Sequence, residues 1–458
     1  MSKKVQDNKK NLKDQINEKS QILGETVPFS KRAMTLLAVY VASRILFTLV
    51  VAPVSYTFWN RKASLNEGNI IEKAIGVLDV FDGTQFIQNA RESYQWETNH
   101  AFFPLFPYIV NRLQTFTQID LKIIGSIYQL VIGYLTSLIL YSLGTKVLKD
   151  ESLAFKSALI FVFNHSMVYQ LALQSELTFA FFTFLGLWIM YRKVKPINQV
   201  ETVHSKHIMP ATFVFGISIL ARSTGFLMLG FTGLVFLKKT FARSDRFFKI
   251  FKYIFYCFTS GVVILLPLGM VLLWKPYEMH CETKLDRTDA IPKWCLDEIP
   301  NVYNYIQKVY WDVKFMGFLH RKPEFFFVAL PMNVFLFYTI YRFAKAQGWN
   351  FFTFGLFSIR EKKQHELMSF YENPALITFV WHFLITMFMI IFMANIDINS
   401  RIASTNVLYY WGFANLIDEY QRGTQTRSGK FVTVLMMLHN LIYMMWNCQW
   451  FLLEASFW

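Results

Sequence analysis

Several acidic and basic residues lie in short polar segments between apolar stretches, and their types suit proton transfer at an apolar surface. Asp82 lies between Phe81 and Gly83, and Arg222 and Arg401 are each the strong charge at a short break in apolar sequence. A carboxylate can take a proton from a hydroxyl group, and fixed arginines can stabilise a departing phosphate. These residues predict the transfer of a sugar from a lipid phosphate, with Asp82 as the general base and Arg222 and Arg401 at the phosphate.

Further polar residues accompany this set in segments that we expect to meet the same membrane face. We expect them to bind the acceptor or to support the three charges, and they are Glu97, Asn99, Glu176, Gln307, Tyr310 and Trp311. No group of His or Cys has metal-ligand spacing, so we predict neither a metal site nor another cofactor. Since one phosphate carries less charge than a diphosphate, arginine side chains could suffice, and a weakly held divalent ion stays open as the alternative.

Each of these residues also has a structural interpretation. Asp82 could cap a following helix, and the helix dipole could favour the Glu176 carboxylate at a helix N-terminus. Arg222 and Arg401 could extend their charges to the membrane surface. The aromatic pair at 310–311 could belong to an interfacial aromatic belt. Residue types alone leave these interpretations beside the catalytic one.

The composition indicates the environment in which such residues act. Of 458 residues, 54% are hydrophobic and only 17% are charged, against about 25% charged in soluble proteins. So few charges cannot cover a soluble surface, and an integral membrane protein is the class that remains. The net charge of +15 does not indicate a nucleic-acid partner, because the basic residues lie in short segments between apolar spans, as orientation in a bilayer requires.

Apolar windows long enough to cross about 30 Å of hydrocarbon predict the membrane spans. The clear windows are 33–54, 121–143, 153–172, 175–191, 249–274, 324–343, 373–395 and 431–453. The segment 208–237 is too long for one untilted span and has basic residues at both ends, so we expect two short helices with a bend near 221–225. With 403–417 as a further crossing, the pattern predicts about eleven transmembrane helices.

The basic clusters also orient the chain, because short cytosolic segments carry the excess of Lys and Arg. We predict a cytosolic basic tail at 1–32 and a single transmembrane catalytic domain at 33–458. Two sizeable loops, 55–100 and 275–323, then face the lumen together with the polar residues described above. The segment 101–118 is short and interrupted by prolines, so we expect it to be interfacial or re-entrant.

The cysteines exclude a disulfide-dense scaffold, since the chain has only four. Cys257 and Cys448 lie in apolar stretches and suit a packed core. Cys281 and Cys295 share the second polar loop, which would be oxidised if it faces a lumen. On spacing and compartment alone, a disulfide and two free thiols are both open.

The polar segments follow one another in a specific order. They include Asp82-Gly83-Thr84-Gln85-Phe86, Glu97 to Pro107 with Ala101-Phe102-Phe103-Pro104, Ser175-Glu176, Ala221-Arg222-Ser223-Thr224-Gly225, Tyr305-Ile306-Gln307, Tyr310-Trp311-Asp312-Val313, Ser400-Arg401 and Tyr410-Trp411. In content and order they closely resemble the GPI mannosyltransferase 2 family over about residues 33 to 417. The sequence departs from that family's usual pattern at Phe81, where Trp is typical, and at Thr224, where Asn is usual.

The resemblance implies an all-α polytopic membrane protein with the GT-C glycosyltransferase fold in the endoplasmic reticulum. Such an enzyme would transfer mannose from dolichol phosphate mannose to the first mannose of a GPI precursor, making an α-1,6 bond with inversion. In this family the first luminal loop supplies the acidic residue, and Asp82 occupies its position. The resemblance also implies a small membrane accessory subunit in some members.

The sequence leaves two alternative functions open. Another dolichol phosphate mannose-dependent GT-C mannosyltransferase would share the donor and differ in the acceptor. A membrane transporter or lipid scramblase would need acids or bases at mid-bilayer depth along a path, whereas nearly every charge here lies at a predicted interface.

Overall fold

Most of the apolar stretches form helices. The computed structural model describes residues 28–51, 82–197, 200–241, 247–282, 291–317, 323–356, 369–394 and 398–453. The tail predicted at 1–32 lies almost wholly outside the described residues, as does 55–81 of the first predicted luminal loop.

The helices and strands follow each other along the chain with short connections. They are α1 (Phe29–Leu46), α2 (Asp82–Glu92), α3 (Leu105–Thr117), α4 (Leu121–Leu148), α5 (Glu151–Val162), α6 (Met167–Leu171), α7 (Glu176–Met190), β1 (Val194–Ile197), β2 (Val200–Val203), α8 (Ile208–Ile219), α9 (Met228–Phe241), α10 (Phe247–Gly269), α11 (Lys275–Tyr277), α12 (Val302–Val309), α13 (Pro323–Gln347), α14 (Trp349–Phe352), α15 (Ile377–Met393), α16 (Asn399–Ala403), α17 (Val407–Gln421) and α18 (Arg427–Leu453). Short 3₁₀ turns lie at Glu97–Ala101, Ser205–His207, Ser223–Leu227, Lys293–Leu296, Phe370–Glu372 and Pro374–Leu376, and π-helical turns at Phe47–Val51, Met270–Trp274 and Glu278–Glu282.

The helical membrane-protein class is confirmed. By length and hydropathy, the stretches of the described chain suited to crossing a membrane are Phe29–Leu49, Leu121–Leu148, Phe251–Glu282 and Pro374–Met393. The strands β1 and β2 add an antiparallel hairpin that the sequence did not predict. The total of about eleven crossings stays a prediction, because several of the remaining helices are shorter than a span of about 20 residues.

The segment predicted as a span at 153–172 is not one continuous helix, because the chain breaks there into α5 and the short α6. The break is polar and buried, at Asn164-His165-Ser166. The His165 amide donates to Asn440 Oδ1 at 2.6 Å, and its ring Nδ1 lies 3.0 Å from the Tyr409 hydroxyl. These partners replace the backbone hydrogen bonds that a continuous helix would supply.

The break predicted in 208–237 is confirmed. Helix α8 ends at Ile219, the chain turns through Ser223–Leu227, and α9 follows. Lys239 Nζ near the end of α9 donates to Ser205 Oγ just before α8, at 2.9 Å, so the two helices run in opposite directions. A Cβ at Gly225 would lie 2.8–3.0 Å from atoms of Ile219, and glycine therefore permits this tight return.

The second predicted loop, 275–323, begins later than expected. Helix α10 continues through α11 and two π-helical turns to Glu282. The stretch Phe251–Glu282 contains an 18-residue window with a mean hydropathy of 2.1, which suits a membrane crossing. The described loop residues 291–317 contain one helix, α12.

Helix α17, which corresponds to the crossing predicted at 403–417, lies at the centre of the bundle. All residues from Val407 to Leu416 are buried. Its aromatic side chains pack against rings from four other helices, with Tyr410 at 5.3 Å from Phe161 and Trp411 at 5.0 Å from Phe379. Because protein surrounds α17, its length of about 22 Å need not match the hydrocarbon thickness.

The bend at 172–175, between α6 and α7, depends on a buried glutamine. Gln129 of α4 is fully buried, and its Nε2 donates to the carbonyl oxygens of Ala172 at 2.7 Å and Gln174 at 2.6 Å. A buried carbonyl without a partner costs about 1–3 kcal/mol. Gln129 therefore holds the backbone that leads into Glu176.

We expect Gln129→Leu to lower the free energy of unfolding by about 1–3 kcal/mol, because the Gln174 carbonyl loses its described partner. Denaturation of the purified protein in detergent measures the change. The matched control is Gln114→Leu, since Gln114 is half-buried and has no side-chain hydrogen bond among the described residues; its effect should stay within about 0.5 kcal/mol. Equal losses in both variants would contradict the assignment.

Candidate active site

Arg401 joins side chains from three distant parts of the chain. It lies on the short helix α16, and its Nη2 donates to Asp82 Oδ2 at 2.5 Å and to Gln174 Oε1 at 3.0 Å. Its guanidinium also bonds Glu176 Oε1 and lies over the Tyr169 ring, 4.9 Å from the centroid. These contacts fix the direction of the guanidinium plane.

Glu176 holds a second arginine beside the first. Arg222 has an extended backbone between α8 and the Ser223–Leu227 turn. Its Nη1 donates to the same Glu176 Oε1. Glu176 is the first residue of α7, and only 3% of its side chain is exposed. Burial of a carboxylate is expensive unless it is paired and hydrogen-bonded. Two guanidinium groups supply that pairing here.

Exposure separates the two carboxylates of this cluster. The Asp82 side chain is 33% exposed, whereas that of Glu176 is 3% exposed between its arginines. Asp82 begins α2, so its carboxylate lies at a helix N-terminus. An exposed carboxylate can receive a proton from a bound molecule. Glu176 is instead suited to holding the arginines in place.

A cavity of about 220 Å³ opens onto the charges. Asp82, Arg222 and Arg401 form part of its polar lining. Aromatic side chains, including Phe103 and Trp311, form another part. The cavity thus combines one exposed carboxylate, two guanidinium groups and aromatic rings.

A second cavity of about 550 Å³ adjoins the first. Ser223, Thr224, Tyr303 and Gln307 line both cavities. Beyond them the second cavity is mostly apolar, with side chains of α10, α15 and the turn before α9. The arrangement can hold a molecule that has a polar head at the charges and an apolar tail beside them.

Glu97 joins the two predicted luminal loops beside the cavity. Trp294 Nε1 donates to Glu97 Oε2 at 3.0 Å, and the Tyr310 hydroxyl donates to Glu97 Oε1 at 2.6 Å. The hydrogen bond to Glu97 raises the pKa of Tyr310 to about 12, so the phenol stays a donor at neutral pH.

A histidine pair and a disulfide strengthen the same junction. His100 Nε2 and His280 Nε2 lie 3.0 Å apart and are buried. Burial, and then the charge of His280, lowers the pKa of His100 to about 3. Cys281 is bonded to Cys295, so one covalent bridge joins the neighbours of His280 and Trp294. The sequence left a disulfide and two free thiols open, and the structure has the disulfide.

The structure brings most of the predicted site residues together. Asp82, Arg222 and Arg401 meet at the first cavity, which Gln307 and Trp311 also line, and Glu176 joins the two arginines. The other predicted residues lie outside the cavity lining. Glu97 and Tyr310 bond each other between the loops, and Asn99 accepts the Trp96 amide at 2.8 Å inside its own turn.

Four residues that contribute to the site were not predicted from the sequence, namely Gln129, Tyr169, Gln174 and Tyr303. Gln174 directly precedes the Ser175-Glu176 motif, and this adjacency could have identified it. Tyr169 and Gln129 lie inside apolar windows, where no local signal separates them from other span residues. Among the described residues, no group of three His, Cys, Asp or Glu side chains could hold a metal ion.

The whole of this helical region matches one family model. That model, described as Mannosyltransferase (PIG-V), aligns with residues 30–458. The chain belongs to this mannosyltransferase family. It is therefore a glycosyltransferase rather than a transporter or scramblase.

Individual relatives within the family are distant. The chain is 25% identical to GPI mannosyltransferase 2 of Drosophila pseudoobscura pseudoobscura, over 79% of this chain and 83% of that one. It is 23% identical to human GPI alpha-1,6-mannosyltransferase 2, over 77% of this chain and 75% of that one. It is also 22% identical to GPI mannosyltransferase 2 of Yarrowia lipolytica, over 85% and 92% of the two chains.

Solved structures offer weaker likenesses. The apo oligosaccharyltransferase of Archaeoglobus fulgidus aligns at 12% identity and a TM-score of 0.41, over 90% of this chain and 55% of that one. The archaeal oligosaccharyltransferase AglB, in complex with an inhibitory peptide and a dolichol-phosphate, aligns at 11% identity and a TM-score of 0.43 over 90% and 56%. This chain spans about half the length of those proteins.

We expect the double change Cys281→Ser and Cys295→Ser to lower the free energy of unfolding by about 2–4 kcal/mol, since the bridge closes a loop in the unfolded chain. Thermal denaturation with and without reductant measures the change. Reductant should destabilise the parent protein and leave the double variant unchanged. Cys257→Ser, at an exposed free thiol, is the control and should behave as the parent. A double variant that still responded to reductant as the parent does would contradict the prediction.

Proposed function

We propose that the protein transfers the second mannose of a GPI anchor, in α-1,6 linkage, from dolichol phosphate mannose to the first mannose of the precursor. The observation that carries this proposal is the cavity in which exposed Asp82 lies beside Arg222 and Arg401. Its chemistry suits a hydroxyl acceptor and a phosphate leaving group. The named activity of the human and mouse relatives supports the linkage and the acceptor.

The proposed reaction inverts the configuration at the sugar. A β-linked donor that yields an α product requires in-line attack by the acceptor hydroxyl. The bond from the mannose anomeric carbon to the acceptor oxygen forms as the bond to the phosphate oxygen breaks. Asp82 takes the hydroxyl proton, and dolichyl phosphate leaves with the bonding electrons toward Arg222 and Arg401. Charges and atoms balance without a metal ion in any step.

The second cavity suits the donor's lipid. Its apolar side chains can cover a polyprenyl chain, and the residues that it shares with the polar cavity would lie near the phosphate. We propose the GT-C fold for the same reason, since that fold combines a luminal acidic residue with a lipid groove between helices.

The aromatic wall of the polar cavity suits the acceptor. Trp311 lies 6.1 Å from Phe102, edge to face, which holds the indole at the cavity wall. Aromatic faces pack against the apolar faces of sugars, and the amide of Gln307 can hydrogen-bond their hydroxyl groups. In this proposal Glu97, Asn99 and Tyr310 keep the loops in position and do not touch the acceptor.

The general-base role predicts that Asp82→Asn lowers turnover by about 10² to 10⁴-fold while the protein still folds. The measurement is mannose transfer by purified enzyme from dolichol phosphate mannose to a synthetic mono-mannosylated GPI lipid, with linkage analysis of the product. Glu92→Gln, at the exposed end of the same helix, should retain turnover. Transfer to other mannosylated lipids but not to this acceptor would overturn the GPI assignment and leave the base assignment intact.

Glu176→Gln distinguishes the two carboxylates. It should lower stability by about 3–5 kcal/mol, because two partly buried guanidinium groups lose the buried carboxylate that they share. If Asp82→Asn kept more than about a tenth of the turnover while a folded Glu176→Gln lost it, the base would be Glu176.

We also propose that the site faces the lumen of the endoplasmic reticulum and that the N-terminus is cytosolic. The expected result is glycosylation in microsomes of a protein carrying Leu296→Asn with Glu298→Thr, since Leu296 is 77% exposed in the second loop. Thr424→Asn, which makes an acceptor with Thr426 after α17, should stay unmodified. A gel mobility shift that endoglycosidase removes is the measurement. The reverse pattern would place the site on the cytosolic side.

A further inference from the structure

A cluster of basic side chains lies near Trp188 and His207, far along α7 from the catalytic charges. The cluster consists of Lys146, Arg192, Lys193, Lys206 and His207. They come from three places: the last turn of α4, the residues after α7, and the Ser205–His207 turn before α8.

The tryptophan ring organises two of the cations. Lys146 Nζ lies 4.3 Å from the Trp188 ring centroid, and Arg192 Cζ lies 5.8 Å from it. Trp188 Nε1 donates to Ser142 Oγ at 2.9 Å, which fixes the ring. Cations over an aromatic face gain electrostatic attraction. The two cations also lie close to each other, and their mutual repulsion opposes this attraction to the ring.

The cations influence His207, which lies at the same place. Burial lowers the pKa of His207, and the nearby charges of Arg192, Lys193, Lys146 and Lys206 lower it further. The imidazole therefore experiences a positive field from several sides. A positive field of this kind attracts anions.

Two other cations toward the same predicted cytosolic face have carboxylate partners. Lys156 bonds Asp418 at 2.7 Å, and Arg342 bonds Glu419 at 3.1 Å. By contrast, no ion pair between described side chains includes Lys146, Arg192 or Lys206. Orientation in the membrane requires cations near this face but does not require them to converge on one ring.

We propose that this cluster binds the headgroup of an anionic phospholipid. Its position at the ends of α4 and α7, with a tryptophan of interfacial type, places it where headgroups lie. The phosphate of a lipid supplies a negative charge to cations that have no carboxylate partner among the described side chains. The acyl chains extend along the exposed apolar faces of the bundle, and a soluble anion gains no such contact.

The experiment compares lipid binding by the parent and by a double variant, Arg192→Gln with Lys206→Gln. The protein is placed in nanodiscs of phosphatidylcholine alone or with one fifth phosphatidylinositol, and native mass spectrometry counts the retained phosphatidylinositol. Each cation near a headgroup changes lipid affinity by about fivefold. The double variant should therefore bind phosphatidylinositol about 25-fold more weakly.

The matched control is the double variant Arg112→Gln with Lys252→Gln. Both residues are exposed cations over a tyrosine ring, at 5.2 Å from Tyr108 and 5.6 Å from Tyr256. The change in net charge is the same as in the test variant. An equal loss of phosphatidylinositol in this control would overturn the proposal, because the effect would then be general attraction to positive charge.

Two further measurements complete the test. Inorganic phosphate added to phosphatidylcholine nanodiscs should leave thermal stability unchanged, whereas phosphatidylinositol should raise it; equal stabilisation by both would overturn the lipid assignment. If the double variant does not fold, the exposed single change Lys206→Gln applies, with an expected loss of about fivefold. Unchanged lipid retention in that variant would also overturn the proposal.

Discussion

The buried carboxylate of Glu176 is the constraint on which the site depends. It is 3% exposed and bonds guanidinium groups of Arg222 and Arg401, which lie 46 and 225 residues away in the sequence. Neither arginine could be buried alone without a large desolvation cost. The pairing therefore fixes the start of α7, the turn after α8 and the short helix α16 relative to one another. Among the described residues, Asp82 is joined to this arrangement through Arg401.

The segment before Glu176 shows how the fold supports that constraint. Five-residue α6 places Tyr169 beneath Arg401, and the following bend presents Gln174 to the same guanidinium. A continuous helix could not place both residues there, because the bend at 172–175 redirects the chain. Gln129 satisfies the carbonyl groups that this bend exposes. The break in the apolar segment therefore places Tyr169 and Gln174 against Arg401.

The features that could be predicted from the sequence are those that neighbouring residues determine. The return at Gly225 follows from charge at both ends of a long apolar segment and from the glycine itself. The disulfide, in contrast, depended on the compartment, and the break at Asn164-His165-Ser166 depends on Asn440, 275 residues away from His165. Glu97 and Tyr310 were predicted either to bind the acceptor or to support the charges. Residue type alone could not distinguish side chains that join two loops from side chains that line the cavity. Pairing across such separations leaves no periodicity in the sequence.

The charge balance of the cluster connects donor binding to proton transfer in the proposed mechanism. Two guanidinium groups face two carboxylates, and the same Arg401 nitrogen, Nη2, reaches both Asp82 and Glu176. An arriving phosphate competes for these donors, and it meets the exposed Asp82 contact before the buried Glu176 contact. When Arg401 turns its hydrogen bond toward phosphate, the Asp82 carboxylate is released from that contact and can accept the hydroxyl proton of the acceptor. In the proposed mechanism the Asp82 carboxylate is thus freed when the donor arrives, and the ion pairs to Glu176 hold both arginines in the site.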